Sequence, residues 1–166
     1  MDMQRGLKTH YQIECVGADG KIKWTEEFDN LVVTAGLNDS LDKHFKAAAY
    51  TAAWFVGLAS GTPTFAAGDT MATHAGWTEI AAYSEATRPT LTLGAVAAGS
   101  VDNSASKASF SINGSATIGG AFVASLNTKS GTTGILYGGG AFASGNRAVV
   151  SGDTLNVTIT LTAAAV

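Results

Sequence analysis

The sequence predicts an all-β protein with one short α-helix, arranged as an antiparallel β-sandwich of jelly-roll type. Three observations predict it. Between Thr90 and Val166 the only charged side chains are Asp102, Lys107, Lys129, Arg147 and Asp153, while Thr, Ser, Gly and Ala alternate with Val, Ile, Leu and Phe. The closing segment has period two: Leu155, Val157, Ile159 and Leu161 fall on one side and Asn156, Thr158, Thr160 and Thr162 on the other, as a half-buried strand requires. Strand-like runs recur at short intervals between turn residues, the spacing of a sandwich. An immunoglobulin-like sandwich is the alternative within that class.

Tyr11 to Val16 and Lys21 to Phe28 read as a hairpin, because the intervening Asp19-Gly20 tolerates positive φ. Leu31 to Thr34 extends the strand pattern. From Gly36 to Tyr50 the period becomes helical, with Leu37, Leu41, His44 or Phe45, and Ala48 recurring. Asn38, Asp39 and Ser40 are expected to cap this helix, and Lys43 and Lys46 lie toward its C-terminal end, as the helix dipole favours. Ala52 to Leu58 is almost continuously apolar and reads as a central strand covered on both faces.

Ser60 to Trp77 reads as a long loop pinned by Phe65 and Met71, with a single helical turn near Ala66 to Met71. Short strands are expected at Thr78 to Tyr83 and Thr90 to Val96. Lys107 to Ile112, Ala116 to Leu126, Gly134 to Phe142, and Val149 to Thr162 interrupted at Gly152 complete the set. Gly119 and Gly120, and Gly138 to Gly140, sit inside strand runs and predict bulges or close approach of a neighbouring backbone. The 166 residues fit one domain, 1–166, with an irregular N-terminal arm over residues 1–9.

Hydrophobic residues make up 46% and charged ones 14%, and the formal charge is −3. This charge gives no attraction toward nucleic acid or anionic lipid. No apolar run has the length of a membrane span or of a signal peptide, so synthesis in a host cytoplasm is expected. Cys15 alternates with Tyr11 and Ile13 and reads as a small buried apolar residue. The glycosylation-type tripeptides at Asn38, Asn113 and Asn156 read as chance matches in a Ser/Thr-rich chain.

Candidate chemistry is sparse. His10, His44 and His74 have no second ligand at metal-site spacing, and His74 with Glu79 reads as a polar loop anchor. Glu26, Glu27, Asp29, Asp39 and Asp42 are expected on the solvent side of the hairpin or helix rather than as a catalytic pair. The glycine run at Gly138 lacks the helix and Lys-Ser/Thr of a phosphate loop, and no Gly-x-Ser-x-Gly elbow occurs. No catalytic residue, metal or cofactor is expected. Among the aromatic residues, Trp77 with Tyr83 and Phe65 is the one set that could face outward as a sugar-stacking platform.

Particular stretches carry a resemblance. They are Lys23-Trp24-Thr25-Glu26-Glu27-Phe28-Asp29-Asn30-Leu31-Val32 with Gly36-Leu37-Asn38-Asp39, the run from Ala66 to Trp77, and Tyr83-Ser84-Glu85-Ala86-Thr87-Arg88-Pro89. Gly131-Thr132-Thr133-Gly134 and Val150-Ser151-Gly152-Asp153-Thr154-Leu155-Asn156-Val157 complete the series. In this order, from about Tyr11 to Leu161, the chain resembles a family of small proteins encoded by tailed bacteriophages. The resemblance implies a virion structural protein, a capsid decoration or cement protein on the outside of the shell. Its expected partners are the major capsid protein and further copies of itself, as homodimer or homotrimer. Arg5, Lys8, Phe65, Met71 and Trp77 are the expected capsid contacts, and Thr158, Thr160 and Thr162 the expected subunit interface. A tail or head-fibre adaptor and a carbohydrate-binding module are the alternatives.

Overall fold

The computed structural model describes residues 6–49 and 53–163. Among them are eleven strands and one helix: β1 (Leu7–Val16), β2 (Ile22–Asp29), β3 (Leu31–Val32), α1 (Thr34–Phe45), β4 (Phe55–Ser60), β5 (Glu79–Ile80), β6 (Ser100–Asp102), β7 (Ala108–Ser111), β8 (Ala116–Ala124), β9 (Leu136–Ala141), β10 (Arg147–Val149) and β11 (Thr154–Ala163). They form two antiparallel sheets, and the all-β sandwich is as expected.

The first sheet runs β2-β1-β11, and β6 and β7 share the far edge of β11. The period-two pattern places Tyr11, Ile13 and Cys15 of β1 and Leu155, Val157 and Ile159 of β11 inside, where each is buried. Burying a side chain of this size stabilises the fold by about 1.5–3 kcal/mol. Leu161 lies near the end of β11 and is only partly buried against the same core. Between β6 and β7 the edge of β11 would lack a partner. Asn103 fills that gap: its Oδ1 accepts from the Ile159 amide at 2.6 Å and its Nδ2 donates to the Val157 carbonyl at 3.1 Å. A buried amide side chain thus continues the ladder where no strand does.

The second sheet runs β3-β9-β8-β4-β5, with β10 also on β8. One face meets the first sheet through Val56, Leu58, Ile118, Ala121 and Val123. The other is covered by the long loop, which buries Met71 and Trp77 against Ala59, Phe122, Ala124 and Leu136. Being covered on both sides explains why β4 reads as unbroken apolar sequence. Its glycines make room for rings and backbone. Phe122 stands opposite Gly57 on one neighbouring strand and Gly139 on the other. A Cβ on Gly57 would lie 2.1 Å from the Phe122 ring, and one on Gly139 would lie 2.1 Å from the Phe65 ring. At Gly119 the register with β4 shifts, and a Cβ there would lie 1.7 Å from the Gly61 carbonyl oxygen. Both the bulge and the close approach expected from these glycines are present.

Several expectations are corrected. The helix starts at Thr34 and ends at Phe45, so Asn38, Asp39 and Ser40 lie inside it; Val33 is the N-cap and supplies no side-chain bond. Tyr50 lies outside the described residues. Thr90 to Val96 is not a strand: Thr90 makes one bridge to Phe55, and Leu93 already points toward solvent. Asp69 closes a β-turn on the Ala66 carbonyl, and no helical turn forms there. Leu7, Lys8 and Thr9 belong to β1 rather than to an irregular arm, because Ala163, Thr162 and Leu161 pair with them. Strand β6 was not anticipated.

Gly119→Ala is expected to destabilise the fold by about 3 kcal/mol, the upper end for overpacking against backbone that cannot yield. Gly68→Ala, where nothing lies within 4 Å of the added methyl, should leave the thermal midpoint nearly unchanged. Thermal denaturation of both variants checks this, and equal midpoints would contradict it.

Candidate functional site

Three centres of buried charge are bound up in internal ion pairs, and buried Asp69 is held by the Ala66 amide and the Trp77 indole. Arg88 is 1% exposed. Its Nε and Nη2 donate to the two Glu79 carboxylate oxygens at 2.8 and 2.6 Å, its Nη1 donates to the Leu126 carbonyl at 2.8 Å, and Nη2 also reaches the Gly131 carbonyl at 3.2 Å. The Ser130 amide donates to Glu79 as well, at 2.8 Å. Glu26 is also buried, where an exposed residue was expected. Arg147 donates to it at 2.7 Å and the Ser144 amide at 3.3 Å. These carboxylates hold loops: Glu79 the Ser130 turn and Glu26 the segment at Ser144.

Asp153 forms the third such centre. Burial alone would raise its pKa, but hydrogen bonds from Lys23 at 2.6 Å and the Val150 amide at 3.0 Å outweigh it and hold the carboxyl below its ordinary range. Beside it the buried Cys15 thiol is pushed up to about 11, chiefly by burial and then by the Asp153 charge. A thiol so raised stays protonated and unreactive at neutral pH. Among the described residues, no group of three or more His, Cys, Asp and Glu could hold a metal ion.

His74 is a loop anchor as expected, since its Nδ1 lies 3.0 Å from the Trp77 carbonyl and its ring stacks on the indole at 3.8 Å. Glu79 is not its partner. The aromatic platform is corrected: Trp77 is 5% exposed and Tyr83 1%, so neither presents a ring face to a sugar. The indole N–H of Trp77 donates to Asp69 at 3.1 Å, which ties the loop to itself, while Trp77 packs on Phe122 of the sheet. Met71 and Trp77 therefore cannot be surface contacts in this conformation, and Phe65 is half-buried on Trp77. Arg5 lies outside the described residues, and Lys8 is exposed.

Thr158, Thr160 and Thr162 do share the outward face of the first sheet, where each is half-buried. Their cross-strand partners are Gln12, His10 and Lys8. That face is thus a mixed hydrogen-bonding surface. Its β1 and β2 half carries His10 2.8 Å from Asp29, and Gln12 bound to Glu27 at 2.8 Å.

The helix supplies a surface that the sequence reading did not single out. Gly36 is its one buried residue, pressed so closely on β9 that a Cβ would lie 2.3 Å from the Tyr137 carbonyl oxygen. With that side inward, Asp39 and Lys43 form an i,i+4 ion pair facing the body, and the Lys43 ammonium lies 5.7 Å from the centre of the Trp54 ring. The apolar residues turn outward instead. Leu37 is 41% exposed, Leu41 56% and Phe45 75%, a stripe at spacing four along one side. Leu31, 40% exposed, continues it, since Leu31 and Leu37 line one open cleft of about 270 Å³ with Leu7, Lys8 and Asp29.

Neither a protein-family model nor a curated protein matches the chain. No helix among the described residues is long and apolar enough to cross a membrane.

Two expected outcomes test these centres. Arg88→Ala leaves the Glu79 charge buried without its partner and should cost about 3–5 kcal/mol. Replacing Glu79 as well by an apolar residue should recover the part due to its stranded charge but not the part due to the Leu126 and Gly131 carbonyls left without donors, as a double-mutant cycle in urea would measure. Asp153 has a lowered folded pKa, so its contribution is complete above the unfolded value of about 3.9 and is lost as pH falls through the folded value. Asp153→Asn should therefore lose less stability than the wild type between neutral and strongly acidic pH; parallel acid profiles would contradict the assignment.

Proposed function

We propose that the chain is a non-enzymatic structural protein of a tailed-phage virion that decorates the outside of the capsid and stabilises it. The observation that carries this reading is the outward apolar stripe of α1. Residues of this size in water invite a protein partner, and a rigid two-sheet body holds them in a fixed direction. The resemblance to small tailed-phage proteins gives the partner its identity, the major capsid protein. The jelly-roll connectivity and the virion location belong to the same proposal.

In this reading Lys8 and the outward face bearing Thr158, Thr160 and Thr162 rest on neighbouring virion subunits. Hydroxyls and amides suit such a contact, because they exchange hydrogen bonds with water for bonds across the interface without stranding a buried charge. Each contact is modest, and an array of symmetry-related sites on a shell multiplies it.

Mixing the purified protein with undecorated capsids and pelleting the shells tests the proposal. Saturable co-sedimentation and a raised temperature of DNA release are expected. Thr158→Lys with Thr160→Lys should lower occupancy without unfolding the chain. Electron cryomicroscopy of virions showing density only at the tail would move the reading to a tail or head-fibre adaptor.

A further inference from the structure

We infer that Asn113-Gly114 is a site of spontaneous covalent modification, where the Gly114 backbone nitrogen attacks the Asn113 side-chain amide and a carboxylate replaces it. The inference is independent of the function proposed above. Asparagine is among the heat-labile residues. Attack on its side chain needs a following nitrogen that is approachable and unbonded, and an amide group at liberty to turn onto it. All of these meet in the turn that carries the chain from β7 of the first sheet to β8 of the second. Asn113 is exposed. Its main-chain amide donates to the Ala82 carbonyl at 3.2 Å, while its side chain has no hydrogen-bond partner among the described residues. The Gly114 N–H likewise has no acceptor among them. The fold makes no use of this glycine: its φ lies outside the left-handed region, and a Cβ on it would meet only the Ala82 Cβ, at 3.9 Å. What the missing side chain does provide is an open path to the nitrogen.

No other asparagine is followed by glycine, and the one Asp-Gly pair is differently placed. In the β1–β2 hairpin the Asp19 Oδ1 accepts from the Lys21 amide at 3.0 Å, and the Gly20 N–H donates to the Gly17 carbonyl at 2.9 Å. Both reacting groups are therefore occupied there. At Asn113 the Gly114 nitrogen loses its proton to base and bonds to Cγ; the Cγ–Nδ2 bond breaks and ammonia leaves, closing a five-membered succinimide. Water then opens the ring. Attack at Cγ gives aspartate, and attack at the main-chain carbonyl carbon gives isoaspartate. One water is consumed and one ammonia released, with no oxidant or reductant, and the chain becomes one unit more negative than its formal −3. Isoaspartate also adds a methylene to the main chain between two fixed points. On one side the Ile112 amide donates to the Asp153 carbonyl at 2.8 Å, and on the other Ala116 pairs with Val149.

The test holds the folded full chain at mildly alkaline pH and physiological temperature over days. The peptide 108–129, released by cleavage after Lys107 and Lys129, is then sequenced by mass spectrometry. Exchange of NH2 for OH is expected at Asn113, faster as pH rises because the attacking nitrogen must lose its proton. Asn127 is an internal control in the same peptide, exposed but followed by Thr128, and should react at least roughly tenfold more slowly. Isoaspartate, separated from aspartate by chromatography, is expected among the products and marks the cyclic intermediate. Gly114→Ala should slow the exchange roughly tenfold while leaving the thermal midpoint unchanged, since the added methyl hinders the approach but meets nothing closely. Asn113→Gln should remove it at equal stability, because the side chain it replaces bonds to nothing among the described residues. Aspartate as the sole product, equal rates at Asn113 and Asn127, an unchanged rate in Gly114→Ala, or exchange at Asn113 only after unfolding in urea each overturns the inference.

Discussion

The Arg88 guanidinium is the interaction on which one end of the sandwich depends. Arginine keeps its charge at any pH the protein meets, so it can be buried only where donors and acceptors are matched. Here Glu79 on β5 takes two of its bonds and the loop joining β8 to β9 takes others through the Leu126 and Gly131 carbonyls. The Arg88 amide bonds to Asn127 of the same loop at 2.8 Å. Directly after Arg88, the Pro89 carbonyl accepts from Val56 and the Leu91 amide donates to Trp54, which lays this segment along the start of β4. The Arg88 side chain therefore joins β5 to the β8–β9 loop, and the backbone that follows it carries the link to β4. Nothing apolar could do so, because the groups it joins are backbone carbonyls that need donors.

The second sheet follows from a different constraint, the space around Phe122. The Phe122 ring covers Gly57 and the Phe65 ring covers Gly139, and Trp77 packs on Phe122 with centroids 4.7 Å apart. The long loop owes its fixed course to this stack and to Asp69, which accepts from Trp77 and the Ala66 amide. Loops of this length usually need such internal packing to stay ordered. Fixing the loop closes the outer face of the second sheet, while the outer side of α1 and the outward face of the first sheet stay open.

Period two made β1 and β11 legible, because a strand with one face in a core writes that face into alternate positions. The continuous apolar run likewise marked β4 as covered on both sides. Alternation misled at Thr90 to Val96, where Leu91 is buried beside Trp54 but Leu93 is left 38% exposed on an open cleft. The buried ion pairs left no local trace. Glu26 looked like the solvent side of a hairpin, and its partner Arg147 is 121 residues away. Asn103 reads as an ordinary turn residue until the gap beside β11 gives it a task. Each of these depends on which segments meet, a question that local periodicity does not address.

Periodicity in α1 raises the same limit in another form, since it identifies an apolar side without saying what that side faces. The usual assumption would turn Leu37, Leu41 and Phe45 onto the sheet. Gly36 prevents this. Only a residue without a Cβ can sit against the Tyr137 carbonyl, so the glycine decides which side of the helix lies inward, and Asp39, Ser40 and Lys43 follow it toward the body. Rotating the helix to bury the stripe would separate that contact and expose the Asp39–Lys43 pair to a different neighbour. The outward stripe is thus a consequence of close backbone packing, not of a weakly held helix. It leaves apolar surface in water at a cost of about 25 cal/mol per Å².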